Sequence, residues 1–494
     1  MPVTLLIALV LAFGLDLDAG TGPGSGAPVA ARSALVDVGL MAVGFAVVSR
    51  LAGVRIARGA DRGAWPYLTV RRRLHRRSRG LDAASLGLFG VALYGLSWRR
   101  AVDEGLGLSG FVLLDELALL LPFLAMQLGM WWGLYPAERA ARGLAPTGRP
   151  FPGLGHHLLM RARQSLGMVL PAALLYVLAY DLAQRYAPGR AASPAWQFAG
   201  LATVGAALLV LAPALVRLSW PTRRLPDGPL RARLDTLARR LGFRFTDILV
   251  WDTDYTLVNA GVTGALPGFR YVLLTDSLIE ALDPYEIEAV FGHEIGHVAH
   301  RHLAYFGFFF VGSMGLMALV AQGLTWLASR APVDLDAVPP LALEVAAAVG
   351  WLTIFLVYMF AIFGFLSRRF ERQADIFGCR AVSCGREACP PHADPNHEAA
   401  PARAGVAADP CPIGIRIFAR ALANVAVLNG MEPQARSWRH GSIRRRIDFL
   451  EGLEGDPRAL RRFQLRIGCL RLGLALVLLA GIVTALATGA LEQL

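Results

Sequence analysis

Lysine is missing from this chain: every one of its 49 basic residues is Arg, set against 37 acidic residues, for a net charge of +12. The absence is read as a codon bias of a GC-rich genome. Charge of either sign is also scarce. Charged residues make up 17% of the sequence, where a soluble globular chain carries about 25%. That is too little to cover a water-facing surface, so a soluble enzyme is excluded. With 55% hydrophobic residues, a disordered chain is excluded too. Five cysteines form an odd set, and four of them lie between Cys379 and Cys411. This is no secreted disulfide framework, and it suits a reducing compartment.

What is present instead is apolar sequence in long blocks, with a mean hydropathy of +0.46. Nine stretches stand out, at 3–15, 34–49, 83–98, 108–135, 165–183, 198–216, 303–328, 341–366 and 472–491. The last six approach or exceed the roughly 20 residues that cross a bilayer. The first, 3–15, could instead be the apolar region of a signal peptide, although it lacks a basic leader. Arg-rich loops flank these blocks. Residues 50–82 hold ten Arg, among them Arg71, Arg72 and Arg73, and residues 136–164 hold five. Loops of this kind stay on the cytoplasmic side. Both long polar segments, 217–302 and 367–471, then fall on that side, with the N-terminus inside and the C-terminus outside. The Arg runs are read as orientation signals, not as a nucleic-acid surface. Asp115, Glu116, Asp181 and Glu344 lie inside apolar stretches, where a carboxylate is costly and faces a wet cavity or a neighbouring helix.

The expected organisation is a multi-span region over 1–216, a first polar half-domain over 217–302, a transmembrane hairpin over 303–366, a second half-domain over 367–471 and a last span over 472–494. In the first half-domain Leu230, Leu234, Leu237 and Leu241 recur at helical spacing. Asp247–Trp251 and Arg270–Thr275 read as strands of a small antiparallel sheet, with Gly261, Gly264, Pro267 and Gly268 between them. Asp283, Pro284 and Glu286 mark a helix start by an N-cap, a proline at the first turn and a capping-box acid.

That helix carries His293-Glu294-Ile-Gly-His297. Residues four apart share a helix face, so two imidazoles can hold one Zn²⁺, with Glu294 placed to take a proton from a water activated there. A catalytic zinc site needs a third ligand. His300 lies seven residues from His293, about 10.5 Å along a helix axis, too far to share a tetrahedral shell. His302 is expected to face elsewhere, and residue 303, where one large zinc-protease class has its third His, is Leu. Glu371 remains. The apolar hairpin leaves His297 six residues before it and Glu371 five residues after it, so both emerge on one membrane face. Asp375, one turn beyond Glu371, is placed to bond a ligand or an Arg. Cys379, Cys384, Cys389, His392, His397 and Cys411 form a second cluster. It is read as reduced thiols, with a structural zinc as the alternative.

Together, His293-Glu-Ile-Gly-His297, Ser367-Arg-Arg-Phe-Glu371-Arg-Gln-Ala-Asp375, Val258-Asn-Ala260 with Tyr271–Asp276, and His440-Gly-Ser-Ile-Arg-Arg-Arg446-Ile447 resemble the M48 family of integral-membrane zinc metalloendopeptidases, in particular its Ste24 or CAAX-prenyl-protease branch. Gly441 stands where that family usually has proline. The resemblance implies a mostly α-helical polytopic membrane protein of about seven to nine spans, with a cytoplasmic-side α+β gluzincin-type protease domain split by the hairpin. It also implies one catalytic Zn²⁺ on His293, His297 and Glu371, with Glu294 as general base. Asp375 would orient the site with Arg446, and His440 would face the developing oxyanion. Asn259 and Ala260 would offer an edge strand to a peptide or membrane-protein substrate. The implied setting is a bacterial inner membrane. A metal transporter is the competing class, but it would put its ionisable ligands near mid-bilayer, and this motif lies outside the apolar blocks. A site-2-type intramembrane protease would need an Asp ligand in a later apolar helix, whereas Asp227-Gly228 precedes the motif. Within the protease class, membrane quality control and processing of lipidated or C-terminal peptides both stay open.

Overall fold

Long apolar segments with few turn formers become long helices, and these dominate the computed structural model, which describes residues 2–13, 27–108, 111, 113–144, 151–167, 169–187, 194–328, 330, 340–383, 407–435 and 437–487. The chain divides into two compact units: Met1–Pro221 with Pro339–Val349, and Thr222–Val338 with Gly350–Leu494.

The first unit contains α1 (Pro2–Phe13), α2 (Ala27–Asp61), α3 (Tyr67–Gly90), α4 (Leu114–Gly143), α5 (Leu154–Leu166), α6 (Leu170–Tyr186) and α7 (Pro194–Ser219). Small residues let α2 and α4 meet backbone to backbone. A methyl group on Gly53 would sit 2.1 Å from the carbonyl oxygen of Gly133, and one on Gly129 would sit 2.8 Å from Cβ of Ala46. This is the small-residue packing that membrane helices use in place of a hydrophobic drive. Phe89, Phe123, Met126 and Met130 fill the core beside it. The stretch 83–98 is not a straight span. After α3 the chain takes a π turn at Val91–Gly95, breaks at Ser97 with φ +54°, and resumes at Trp98, for a total bend of 61°. Asp115 and Glu116 fall in the first turn of α4, where the helix dipole favours negative charge. Asp181 accepts a hydrogen bond from the backbone of Leu113 at 3.3 Å.

The chain is an integral membrane protein. Among the described residues, four helices are long and apolar enough to cross a bilayer: Arg32–Asp61, Leu114–Gly143, Val349–Ala381 and Pro457–Ala480. The number rises to six if each of two bent helix pairs makes one span. The apolar stretches outnumber these for local reasons. The 12 residues of α1 reach about 18 Å, short of the roughly 30 Å hydrocarbon core. Residues 198–216 and 303–328 are helical, but many of their side chains lie outside the described residues.

The second unit holds a four-stranded sheet in the order β1-β2-β4-β3, from Thr222–Arg224, Asp247–Trp251, Ala260–Thr263 and Tyr271–Thr275. The expected antiparallel sheet is corrected to a mixed one. β2 and β4 pair in parallel, Asp247 against Tyr271 through Trp251 against Thr275, while β1 and β3 run antiparallel to their neighbours. The cause is the connection 252–270. It brings the chain back as the edge strand β3 and then turns through Gly264 into β4, which therefore runs the same way as β2. Gly264 has φ +99°, and a side chain there would strike the Phe269 carbonyl. Ile248, Val250, Val272 and Leu274 are buried, and they pack with Leu234 and Leu237 of α8 (Pro229–Arg240). After the short α9 (Asp276–Ala281) come α10 (Pro284–Ala299), α11 (His302–Ala328), α12 (Pro340–Tyr358), whose residues up to Val349 belong to the first unit, α13 (Gly364–Ala381), α14 (Pro412–Leu428), α15 (Ile443–Glu451) and α16 (Pro457–Ala487).

Candidate metal centre

Helix α10 starts where the sequence indicates. The Asp283 carboxylate accepts from the backbone of Tyr285 and Glu286, and Glu286 accepts from the backbone of Asp283. The other oxygen of Glu286 accepts from Arg420 at 2.7 Å and from Asn424 at 2.9 Å, which ties the start of α10 to α14. Further along, three glycines bring α10 against α13. A methyl on Gly292 would lie 2.5 Å from Cβ of Ala381, one on Gly296 would lie 2.9 Å from Cβ of Phe377, and one on Gly378 would lie 2.8 Å from the Ala289 carbonyl. Two helices at this separation place a carboxylate of one beside the imidazoles of the other.

His293 Nε2 lies 3.2 Å from His297 Nε2. Glu371 reaches both, 3.8 Å from each Nε2 through a different oxygen. One donor atom from each of the three residues falls within 4.8 Å of the other two. His293 and Glu371 are buried, and His297 is half-buried. Two imidazole lone pairs turned toward one another repel unless a cation lies between them. Their spacing matches an edge of a tetrahedral shell, about 3.3–3.4 Å for metal–nitrogen bonds of 2.0–2.1 Å. Two imidazoles and a carboxylate thus fit a divalent ion of that kind.

The surrounding residues hold the three donors. Asp375 is fully buried. It accepts from Arg446 through both oxygens, at 2.8 and 2.5 Å, the two-pronged geometry that suits a guanidinium. Its Oδ1 also lies 3.0 Å from His293 Nδ1, close enough for an ion pair though not aligned as a hydrogen bond. Arg446 reaches on to Glu371 Oε2 at 3.4 Å, and His440 Nδ1 lies 2.9 Å from Glu371 Oε1. Burial opposes the charge of Arg446, but Asp375 and Glu371 outweigh it and raise its pKa. Burial pushes the Glu294 carboxyl up; His293, His440 and Arg446 pull it back, while Glu371 adds to the rise. Burial, with His293 beside it, holds His297 down at about 4, so its ring is neutral.

Asn259 and Ala260 lie at the start of the edge strand β3, which packs on α10. The backbone N–H of Asn259 donates to the Thr275 hydroxyl, and its carbonyl accepts from Thr275. Strand alternation then turns the N–H and C=O of Ala260 toward the open edge. Of the second cluster, Cys379 and Cys411 are buried. Cys384, Cys389, His392 and His397 lie outside the described residues.

His302 requires a correction. It does not face elsewhere: its Nδ1 lies 2.8 Å from His297 Nδ1, and its Nε2 lies 3.1 Å from Gln373 Oε1. The helical-wheel extrapolation fails because α10 ends at Ala299, and Arg301 takes a left-handed φ of +54° before α11 begins. That kink turns His302 back beneath His297. Sequence reading also missed Gln373, Gln464 and Arg471, which continue the contact. Gln373 lies between Glu371 and Asp375 on a helix whose buried face is already crowded with polar residues, and that was the available signal.

Residues 224–390 match the model of Peptidase family M48. A protease HtpX homolog of Pyrobaculum islandicum is 32% identical over 184 residues, 36% of this chain and 49% of that relative. The CAAX prenyl protease 1 of Saccharomyces cerevisiae is 36% identical over 81 residues, 16% of this chain and 18% of the yeast protein. This chain therefore spans about half the length of the first of these relatives and less of the second. The crystal structure of S. mikatae Ste24p aligns with a TM-score of 0.45 at 15% identity, over 87% of this chain and 99% of that one.

Proposed function

We propose that this chain, whose residues 224–390 are those of a Peptidase family M48 domain, is an integral-membrane zinc-dependent endopeptidase. The observation that carries the reading is the convergence of His293, His297 and Glu371 within one shell, with Glu294 one residue along from His293. His293, His297 and Glu371 would hold the ion. When bound, zinc supplies Lewis-acid activation of a water and of the scissile carbonyl. Glu294 accepts the proton of the attacking water and returns it to the leaving amine. Its raised pKa suits a group that must both take and give a proton. Asp375 and Arg446 fix His293 and Glu371 from behind. His440, now on Glu371 Oε1, is half-exposed and would stabilise the oxyanion that develops on the carbonyl. Ala260 offers its backbone to an extended peptide as an added strand.

The proposed substrate is a peptide or membrane protein entering from the cytoplasmic face of a bacterial inner membrane, the side to which the Arg-bearing loops assign the site. A transporter reading gains no support, because the donors sit on a compact helix pair beside a sheet. The test compares purified full-length wild type with Glu294→Gln, for zinc content and for cleavage of a quenched fluorescent peptide library. The expected result is unchanged zinc and at least a hundredfold loss of cleavage, on the order of what a general base contributes. Full cleavage by Glu294→Gln, or no zinc in the wild type, would overturn the reading.

A further inference from the structure

The two imidazoles of the site are held differently at Nδ1: that of His293 faces the Asp375 carboxylate, and that of His297 faces another imidazole. Behind His297 runs a partly buried relay of neutral groups: His297 Nδ1 to His302 Nδ1 at 2.8 Å, His302 Nε2 to Gln373 Oε1 at 3.1 Å, and Gln373 Nε2 to Gln464 Oε1 at 2.7 Å. Arg471 closes it, donating to Gln373 Oε1 at 2.5 Å. His302 and Gln373 are buried, and the His302 ring stacks flat on Phe370 with centroids 4.4 Å apart.

The polarity of this relay follows from its far end. A guanidinium only donates, so the atom of Gln373 that meets Arg471 must be its oxygen, and the amide cannot flip. That oxygen accepts from His302, so His302 carries its proton on Nε2. Its Nδ1 is then an acceptor, and His297 must place its own proton on Nδ1. The lone pair of His297 is thereby forced onto Nε2, the atom that faces His293 and Glu371. We propose that His302, set by Gln373 and Arg471, is a positioning residue that fixes the tautomer and ring plane of His297 for metal binding. The inference rests on the reading of His297 as a metal ligand.

The experiment uses full-length protein purified in detergent and measures zinc affinity by competition with a fluorescent chelator. The visible spectrum of the cobalt-loaded protein and the melting of the metal-free protein are recorded alongside. His302→Phe keeps the ring and its stacking on Phe370 but removes the acceptor. His302→Asn restores an acceptor near the Nδ1 position but not the Nε2 donor to Gln373. Gln373→Leu touches no proposed ligand but releases the tautomer of His302. Losing such an outer partner typically weakens metal binding by about 10–100-fold, so His302→Phe is expected in that range and His302→Asn within about threefold of wild type. Gln373→Leu is expected between them, and the cobalt spectrum of His302→Phe should shift while that of His302→Asn stays close to wild type. Wild-type affinity in His302→Phe, or equal loss in His302→Phe and His302→Asn, would overturn the proposal. If His302→Phe does not melt as a folded protein, Gln373→Leu decides: weakened binding supports the relay and unchanged binding overturns it. A wild type that binds no zinc would instead sink the metal-site reading itself, a different and recognisable result.

Discussion

The two sides of the site differ in what holds them. On the His293 side the anchor is charge: a fully buried Asp375, a buried Arg446 gripping both its oxygens, and a carboxylate contact to the imidazole. On the His297 side it is a chain of neutral donors and acceptors through His302, Gln373 and Gln464, polarised from its far end by one partly exposed guanidinium, Arg471. The two arrangements carry different risks. A buried charge pair costs several kcal/mol to desolvate and is dangerous to break, because the surviving partner is left unpaired. A neutral relay costs little to desolvate and is mild to break, but it transmits direction, since each donor decides what its neighbour must be. Stability should therefore reside on the first side, and ligand geometry on the second.

The largest effect is expected where the charge lies. Asp375→Ala strips buried Arg446 of both its short bonds, leaving only the 3.4 Å contact to Glu371, and should destabilise the second unit by about 3 kcal/mol, read as a fall in the melting temperature of the metal-free protein. A variant as stable as wild type would erase the distinction between the two sides. Next comes the close approach on which both depend. Gly296→Ala drives a methyl into Phe377 and should cost about 1–3 kcal/mol through overpacking, with zinc affinity falling as α10 and α13 separate. The smallest effect belongs to the neutral side. His302→Phe removes two hydrogen bonds and should shift the metal-free melt by about 1–2 kcal/mol, at roughly 1 kcal/mol net for each, while its zinc affinity drops. A melt as damaged as that of Asp375→Ala would show that the relay is structural.

Much of this was legible before any coordinates. The helix start at Asp283 and the spacing of His293 and His297 are local signals, set by capping and by the 3.6-residue period. Glu371 was reachable because the hairpin expected from the apolar blocks would return the chain to the face it left, and Asp375 because it lies one turn on. What failed was geometry that a helical wheel cannot carry. His302 was missed because one left-handed residue, Arg301, breaks the periodicity between α10 and α11. The parallel pairing of β2 with β4 was missed because the edge strand β3 inserts between them in sequence but not in space. Gly292, Gly296 and Gly378 passed without comment, although they set the distance between the helices. Glycine inside a helix reads as a weakness until its neighbour across the interface is known.

The central claim is that one carboxylate from α13 completes a metal shell begun by two imidazoles of α10. Metal analysis of full-length Glu371→Ala, purified beside wild type and dialysed against a weak chelator, tests it most directly. Close to one zinc per chain is expected in the wild type and little or none in the variant. Equal zinc in both would contradict it.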